Sequence, residues 1–192
     1  MVKIFTRVWL LGLALSFAAC QNTETATTQP ILYFDLKGLL EQQQKQLSTA
    51  QVSKDALVGT NVSQAVRTEK PDWAHELHLF YEADINKPAW FGNYAIDSSH
   101  DAQGNLSVRY TTQVKTMPVK YLQIDFGANK QVKYIRSLIE ERNMLYDSDK
   151  RMELFFDSAA AVPQLQKYRM SGFQKIILKD TMSYQITGNV LR

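Results

Sequence analysis

The sequence predicts an α+β domain in which two amphipathic helices pack on an antiparallel β-meander sheet. Three observations carry this expectation. Apolar residues recur at helical spacing in two early stretches, 36–47 and 73–85. From Trp90 onward the repeat changes to two, the period of half-buried strands. Short turns built from Gly, Asn and Asp separate the later apolar runs, so successive strands return antiparallel.

Before the domain stands a secretory signal. Lys3 and Arg7 lead into the apolar run Val8–Leu15, and Ser16-Phe17-Ala18-Ala19 stops at Cys20. The 12 residues from Val8 to Ala19 fall short of the ~20 that cross a bilayer, and polar Gln21-Asn22-Thr23-Glu24 follows at once. Ala18-Ala19-Cys20 resembles the processing site of bacterial lipoproteins, although Phe17 stands where an aliphatic residue is usual. That resemblance implies cleavage before Cys20 and a diacylglycerol thioether on its thiol. Cys20 is the only cysteine, which leaves no intramolecular disulfide to form. One acyl chain holds only marginally, so two or three make the attachment lasting. Residues 1–19 are therefore expected as the signal, 20–30 as a Thr-rich flexible tether carrying the lipid, and 31–192 as one domain. Gln21 is compatible with outer-membrane sorting.

Charge narrows the partners. The chain has 22 Lys+Arg against 19 Asp+Glu, and losing Lys3 and Arg7 leaves it nearly neutral. No basic run stands out, so nucleic acid is not an expected partner.

The domain opens at Ile31-Leu32-Tyr33-Phe34. Asp35 caps a helix to about Leu47, with Leu36, Leu39, Leu40 and Leu47 on one stripe and Glu41–Gln46 as the wet side. Gln51–Val58 and Val62–Arg67 flank Gly59-Thr60-Asn61, a composition suited to a tight hairpin turn. Pro71-Asp72 opens a second helix to about Ile85, closed by Lys87-Pro88. Trp73, Leu77 and Phe80 share its apolar face, and Asp84 can reach backbone donors beyond its end.

Strands follow. Tyr94 and Ile96 begin the alternation, Asp101–Asn105 makes a loop, and Leu106, Val108 and Tyr110 alternate with polar residues. Met117–Phe126 points Leu122, Ile124 and Phe126 to one face. Gly127–Lys130 turns into 132–139, where Val132, Ile135 and Ile139 also suit a helix; the short turn decides for a strand. Met144–Tyr146 and Met152–Phe156 continue the meander across Asp147–Lys150. Tyr168–Gly172 and Tyr184–Gly188 match as Tyr-x-apolar-hydroxyl-Gly, with another strand, Phe173–Leu178, between them. One echo is too little for a repeat architecture and reads as two antiparallel strands sharing a face pattern. The sheet is expected to hold about six to eight strands.

Asp35-Leu36-Lys37-Gly38, the stretch Glu82–Lys87 and the closing Tyr-x-Ile-x-Gly resemble small uncharacterised lipoproteins of the Bacteroidota over residues 31–190. The resemblance implies attachment to the outer membrane and carries no catalytic residues with it.

Candidate chemistry is sparse. His75, His78 and Glu82 would share a helix face and offer two imidazoles and a carboxylate to a divalent metal. His75-Glu76-Leu77-His78 is one residue short of the zincin His-Glu-x-x-His, and the cluster lies opposite the apolar face. A solvated face with a His78–Glu82 pair is the expectation; a metal would need a further ligand, with His100 the remaining histidine. No Gly-x-Ser-x-Gly elbow or phosphate-binding glycine loop is present. Glu140-Glu141 reads as a charged strand end. Tyr110, Tyr121, Tyr134, Tyr168 and Tyr184 fall on strands; they are expected as core and edge residues, or as a stacking surface if several share an open face.

The expected function is a membrane-anchored envelope lipoprotein, acting without a cofactor as a non-catalytic binding or accessory module for an envelope protein or glycan. A carrier of lipid or another hydrophobic ligand would instead need an apolar cavity of several hundred Å³. A hydrolase with an unrecognised site would need converging polar groups in a pocket.

Overall fold

The period-two region dominates the computed structural model, which describes residues 31–59, 61–62, 66–159 and 162–192. The signal, the tether, Cys20 and Thr60 of the first expected turn lie outside the described residues. Among those described are ten strands: β1 (Gln51–Val58), β2 (Asn61–Val62), β3 (Val66–Thr68), β4 (Ala95–His100), β5 (Leu106–Thr111), β6 (Val119–Phe126), β7 (Val132–Arg142), β8 (Tyr146–Asp157), β9 (Gln164–Ile176) and β10 (Met182–Leu191). They form one antiparallel sheet in the order β2-β1-β10-β9-β8-β7-β6-β5-β4. β3 also pairs with β1, beside Val52–Lys54, while β2 meets Leu57 and Val58. The two pieces therefore share one edge, and the sheet has nine positions.

One face of this sheet holds the core. A cross-strand row runs Val108, Ile124, Ile135, Leu154, Tyr168, with Gly188 and Lys54 beyond it. The first helix, α1 (Leu36–Gln46), lies on this face and forms as its sequence predicts. Asp35 caps it, accepting the Gly38 N–H at 2.8 Å, and Leu36, Leu39, Leu40 and Leu47 are buried. Gln43, expected on the wet side, is instead fully buried. Its Nε2 donates to the Pro163 carbonyl at 2.9 Å and its Oε1 accepts the Leu165 N–H at 2.8 Å. Both hydrogen-bonding ends of the amide thus meet the backbone around the start of β9, which satisfies a buried polar group in an apolar layer.

The second amphipathic helix is not there. Asp72 caps as expected, accepting from the N–H groups of Ala74 and His75 at 3.0 and 3.2 Å. However, α2 (Trp73–Glu76) is a single turn, and His78–Ala83 continues as 3₁₀ helix. At three residues per turn Leu77, Phe80 and Ala83 eclipse one another, and all three are buried. The fold is accordingly mostly β: one antiparallel sheet with one substantial helix and short helical pieces. No helix among the described residues is long and apolar enough to cross a membrane.

Asp84 does reach beyond its helical segment, accepting the Asn86 N–H at 3.1 Å. The Asn86 side chain then stands in for a strand partner. It accepts from Leu32 and Tyr33 N–H at 3.0 and 2.9 Å and donates to the Phe34 carbonyl at 2.9 Å.

Two further expectations are corrected. Asp147–Lys150 is not a turn but part of β8, and the chain reverses at Met144-Leu145. Phe173–Leu178 is not a separate strand, since Phe173–Ile176 is the end of β9. The ambiguous stretch from Val132 is strand, as the short turn before it indicated. The sequence echo pairs with itself: Tyr184 faces Gly172 and Gly188 faces Tyr168.

Candidate functional site

The other face of the sheet carries the polar side chains. Asp97, Arg109, Gln123, Arg136, Glu153 and Arg169 are successive cross-strand neighbours, each from a different strand. Beside this row runs a second: Ser99, Ser107, Asp125, Tyr134, Phe155, Lys167. Alternation along each strand puts both rows on the face away from α1, because from β5 to β9 the residues between them pack in or against the core.

The two rows are tied together. Gln123 Nε2 donates to Ser107 Oγ at 2.9 Å and to Asp125 Oδ1 at 2.8 Å, and Ser107 Oγ donates to the same Asp125 oxygen at 2.7 Å. Arg136 Nη2 donates to Gln123 Oε1 at 2.9 Å. Further along, Glu153 accepts from the Tyr134 hydroxyl and from Arg169 Nη1, the latter at 3.3 Å. Burial raises the Tyr134 phenol above its ordinary pKa, and the Glu153 carboxylate beside it adds to the effect. The Nε–H groups of Arg136 and Arg169 are buried and have no hydrogen-bond partner among the described residues.

Aromatic surface lies between these charges. The Tyr134 and Phe155 rings are 4.8 Å apart, Lys167 Nζ stands 5.6 Å from the Phe155 centroid, and the Arg109 guanidinium 4.5 Å from that of Tyr121. At the end of the sheet where β4 turns into β5, the second row lines a cleft of about 590 Å³. Ser99, Ser107, Asp125, Tyr134 and Phe155 form part of its wall, with His100, Asp101 and Lys133 at the same cleft; Leu106, Phe126 and Phe156 add apolar surface where it reaches the sheet end. Asp101 holds the loop there: it accepts the N–H groups of Gln103 and Asn105, each at 2.9 Å, and the Asn105 side-chain amide at 2.7 Å. The hydrogen bond donated by the Asn105 side-chain amide is the main reason its carboxyl lies below the usual aspartate range.

On the core face the filling is tight. The void enclosed by Leu36, Phe80, Ile135 and Met152 measures about 10 Å³, too little for an acyl chain.

The residues singled out in the sequence disperse. His75 lies on α2, whereas His78 and Glu82 lie on the 3₁₀ segment, where the expected α-helical spacing no longer applies. Glu82 is taken by Lys150 Nζ at 2.5 Å. No group of three His, Cys, Asp or Glu side chains that would hold a metal occurs among the described residues. Of the five strand tyrosines, Tyr110 and Tyr168 are buried on the core face, and the half-buried Tyr184 faces the same way. Tyr121 and Tyr134 are on the open face. The arginine row was invisible in the sequence, because its members are separated by whole strands and converge only through register. Compared with family models, curated proteins and solved structures, the chain matches none.

Proposed function

We propose that the chain is a non-catalytic binding module, held at the outer membrane through a lipid on Cys20, that takes a glycan in the cleft on its open face. The carrying observation is the cleft wall, where the tilted Tyr134–Phe155 pair adjoins Ser107 and Asp125, both of which accept from Gln123 behind them. Saccharides present C–H faces to aromatic rings and hydroxyls to carboxylates and amides, so this pairing of surfaces suits them. A volume of about 590 Å³ lies in the range of small-ligand sites. The void beneath Phe80 is too small for an acyl chain, and in the cleft Ser99, Ser107, Asp125 and Lys133 stand among the apolar side chains, which suits a hydroxylated ligand better than a lipid.

Calorimetric titration of the full chain with oligosaccharides from the envelope tests the cleft. Tyr134→Ala and Asp125→Ala should each weaken binding, the former about tenfold. Unchanged affinity in both variants would refute the assignment of the cleft. The anchor is tested separately: labelled palmitate should enter the wild type and vanish with Cys20→Ala, and label persisting in that variant would refute it.

A further inference from the structure

Two hairpin turns at the opposite end of the sheet from the cleft break the ordinary rules of turn chemistry. The β7–β8 reversal is a two-residue loop, Met144-Leu145, closed by the Asn143 N–H to Tyr146 carbonyl bond at 2.9 Å. Such loops favour Asn, Asp and Gly. Here they hold a methionine that is 92% exposed and a leucine that is 64% exposed. The β9–β10 reversal turns through Ile177-Leu178, with the Lys179 N–H donating to the Ile176 carbonyl at 3.0 Å. Leu178 has φ 61, a conformation that glycine adopts freely and leucine does not, and its side chain is 99% exposed. Ile177 beside it is 56% exposed.

The two tips act as one feature. The Ile177 N–H donates to the Leu145 carbonyl at 3.0 Å, so four large apolar side chains project together from adjoining turns. Turn geometry does not account for Leu178, whose positive φ would suit Gly or Asn better, and burial does not account for the exposed Met144, Leu145 and Ile177. They form convex prongs and not a groove, which fits a deformable apolar medium. Lys175 and Lys179 flank the second tip, exposed and without an ion-pair partner among the described residues. Asp180 follows the second tip; at the first, Glu141 is exposed, Arg142 is held by Asp147 and Asp149, and Asp147 faces Lys175 across the ladder, so the lysine charge is concentrated at the second tip. At the second tip, apolar side chains with lysines at their base match the acyl boundary and the anionic headgroups of a bilayer, in that order of depth, and the first tip adds apolar surface beside it.

We propose that the Met144-Leu145 and Ile177-Leu178 tips insert into the interfacial layer of a membrane carrying anionic lipid, a contact additional to any lipid on Cys20. This does not rest on the glycan reading or on the fate of Cys20.

The test uses the full chain with Cys20→Ala and a single new cysteine, Met144→Cys, carrying an environment-sensitive fluorophore. Vesicles contain phosphatidylcholine and phosphatidylglycerol, with brominated acyl chains as quencher. A second chain carries the label at Gln103→Cys, in the loop between β4 and β5. Whatever brings the chain to the vesicle, the label reads only whether its own site enters the bilayer. The emission at 144 should shift to the blue and be quenched by brominated lipid, while that at 103 should do neither. Combining Leu145→Ser with Leu178→Asn should abolish the shift at 144, as should Lys175→Glu with Lys179→Glu. The proposal is overturned if the label at 144 behaves like the label at 103. It is equally overturned if the shift appears without vesicles and grows with protein concentration, which would identify a second copy as the occupant.

Discussion

Gly188 faces both Lys54 and Tyr168, and a side chain in its place would have nowhere to go. A Cβ there would overlap the Tyr168 ring. The bare backbone lets that ring lie across β10 so that its hydroxyl donates to Glu76 at 2.6 Å, while Lys54 Nζ reaches the other Glu76 oxygen at 2.7 Å. Gly188→Ala should therefore destabilise the fold by about 1–3 kcal/mol in urea unfolding, the range for overpacking a tight site. Loss below this range would mean that the Tyr168 ring moves aside without cost. Leu178 works in the opposite sense. Its left-handed backbone costs a leucine about 1–2 kcal/mol, and its side chain buries nothing in the isolated chain. Leu178→Gly should raise stability by roughly 1 kcal/mol, and a drop in the urea midpoint would show that the leucine supports the fold after all.

At the scale of elements, the Glu76 contacts explain how a single helical turn stays in place. α2 is too short to be stable alone, yet its carboxylate is clasped by a lysine from β1 and a tyrosine from β9. Burial, and then the bond to Glu76, push the Tyr168 phenol above its ordinary 10.0. In the unfolded chain this phenol ionises near 10.0, so the native state holds its proton longer. The corresponding stability is complete below pH 10 and is lost as pH climbs from there towards the folded value. Tyr168→Phe should lower stability at neutral pH by about 1 kcal/mol and flatten the alkaline decline; an identical slope in both proteins would contradict the linkage. The elements differ in how plainly the sequence announces them. α1 was legible because Asp35 and four leucines state both its start and its buried stripe. The sequence suggests a longer second helix because Trp73, Leu77 and Phe80 fit a period of 3.6, while Leu77 and Phe80 also fit the 3₁₀ spacing that Ala83 completes. Asp147–Lys150 has the composition of a turn, but ladders to β7 on one side and β9 on the other hold all four residues in strand, and Arg142 and Glu82 meet their charges. The candidate site was legible only as separate tyrosines. The row that joins Tyr134 to Asp125 and Phe155 exists through the pairing of three strands.

Across the whole molecule, the order of the sheet separates contacts that are near in sequence from one that is not. β4 to β10 form a run of hairpins, each strand pairing with the next in the chain, so their contacts close short loops. β1 joins this meander through β10 alone, with Val52 opposite Val190 from the far end of the chain. Closing that pair restrains nearly the entire described chain, and its entropic cost is repaid only once β10 is already held by β9. The meander should consequently form first and β1 dock late. Leu154→Ala, in the core of the β7–β8–β9 region, removes buried packing on a central strand, costs about 2–5 kcal/mol and should appear mainly as slower folding. Val52→Ala, equally buried but on β1, should leave the folding rate close to that of the wild type and speed unfolding instead. Stopped-flow chevrons for the two variants distinguish this from the reverse order. A folding limb slowed by Val52→Ala as much as by Leu154→Ala would mean that β1 belongs to the nucleus, and that the ends of the chain meet before the hairpins between them are complete.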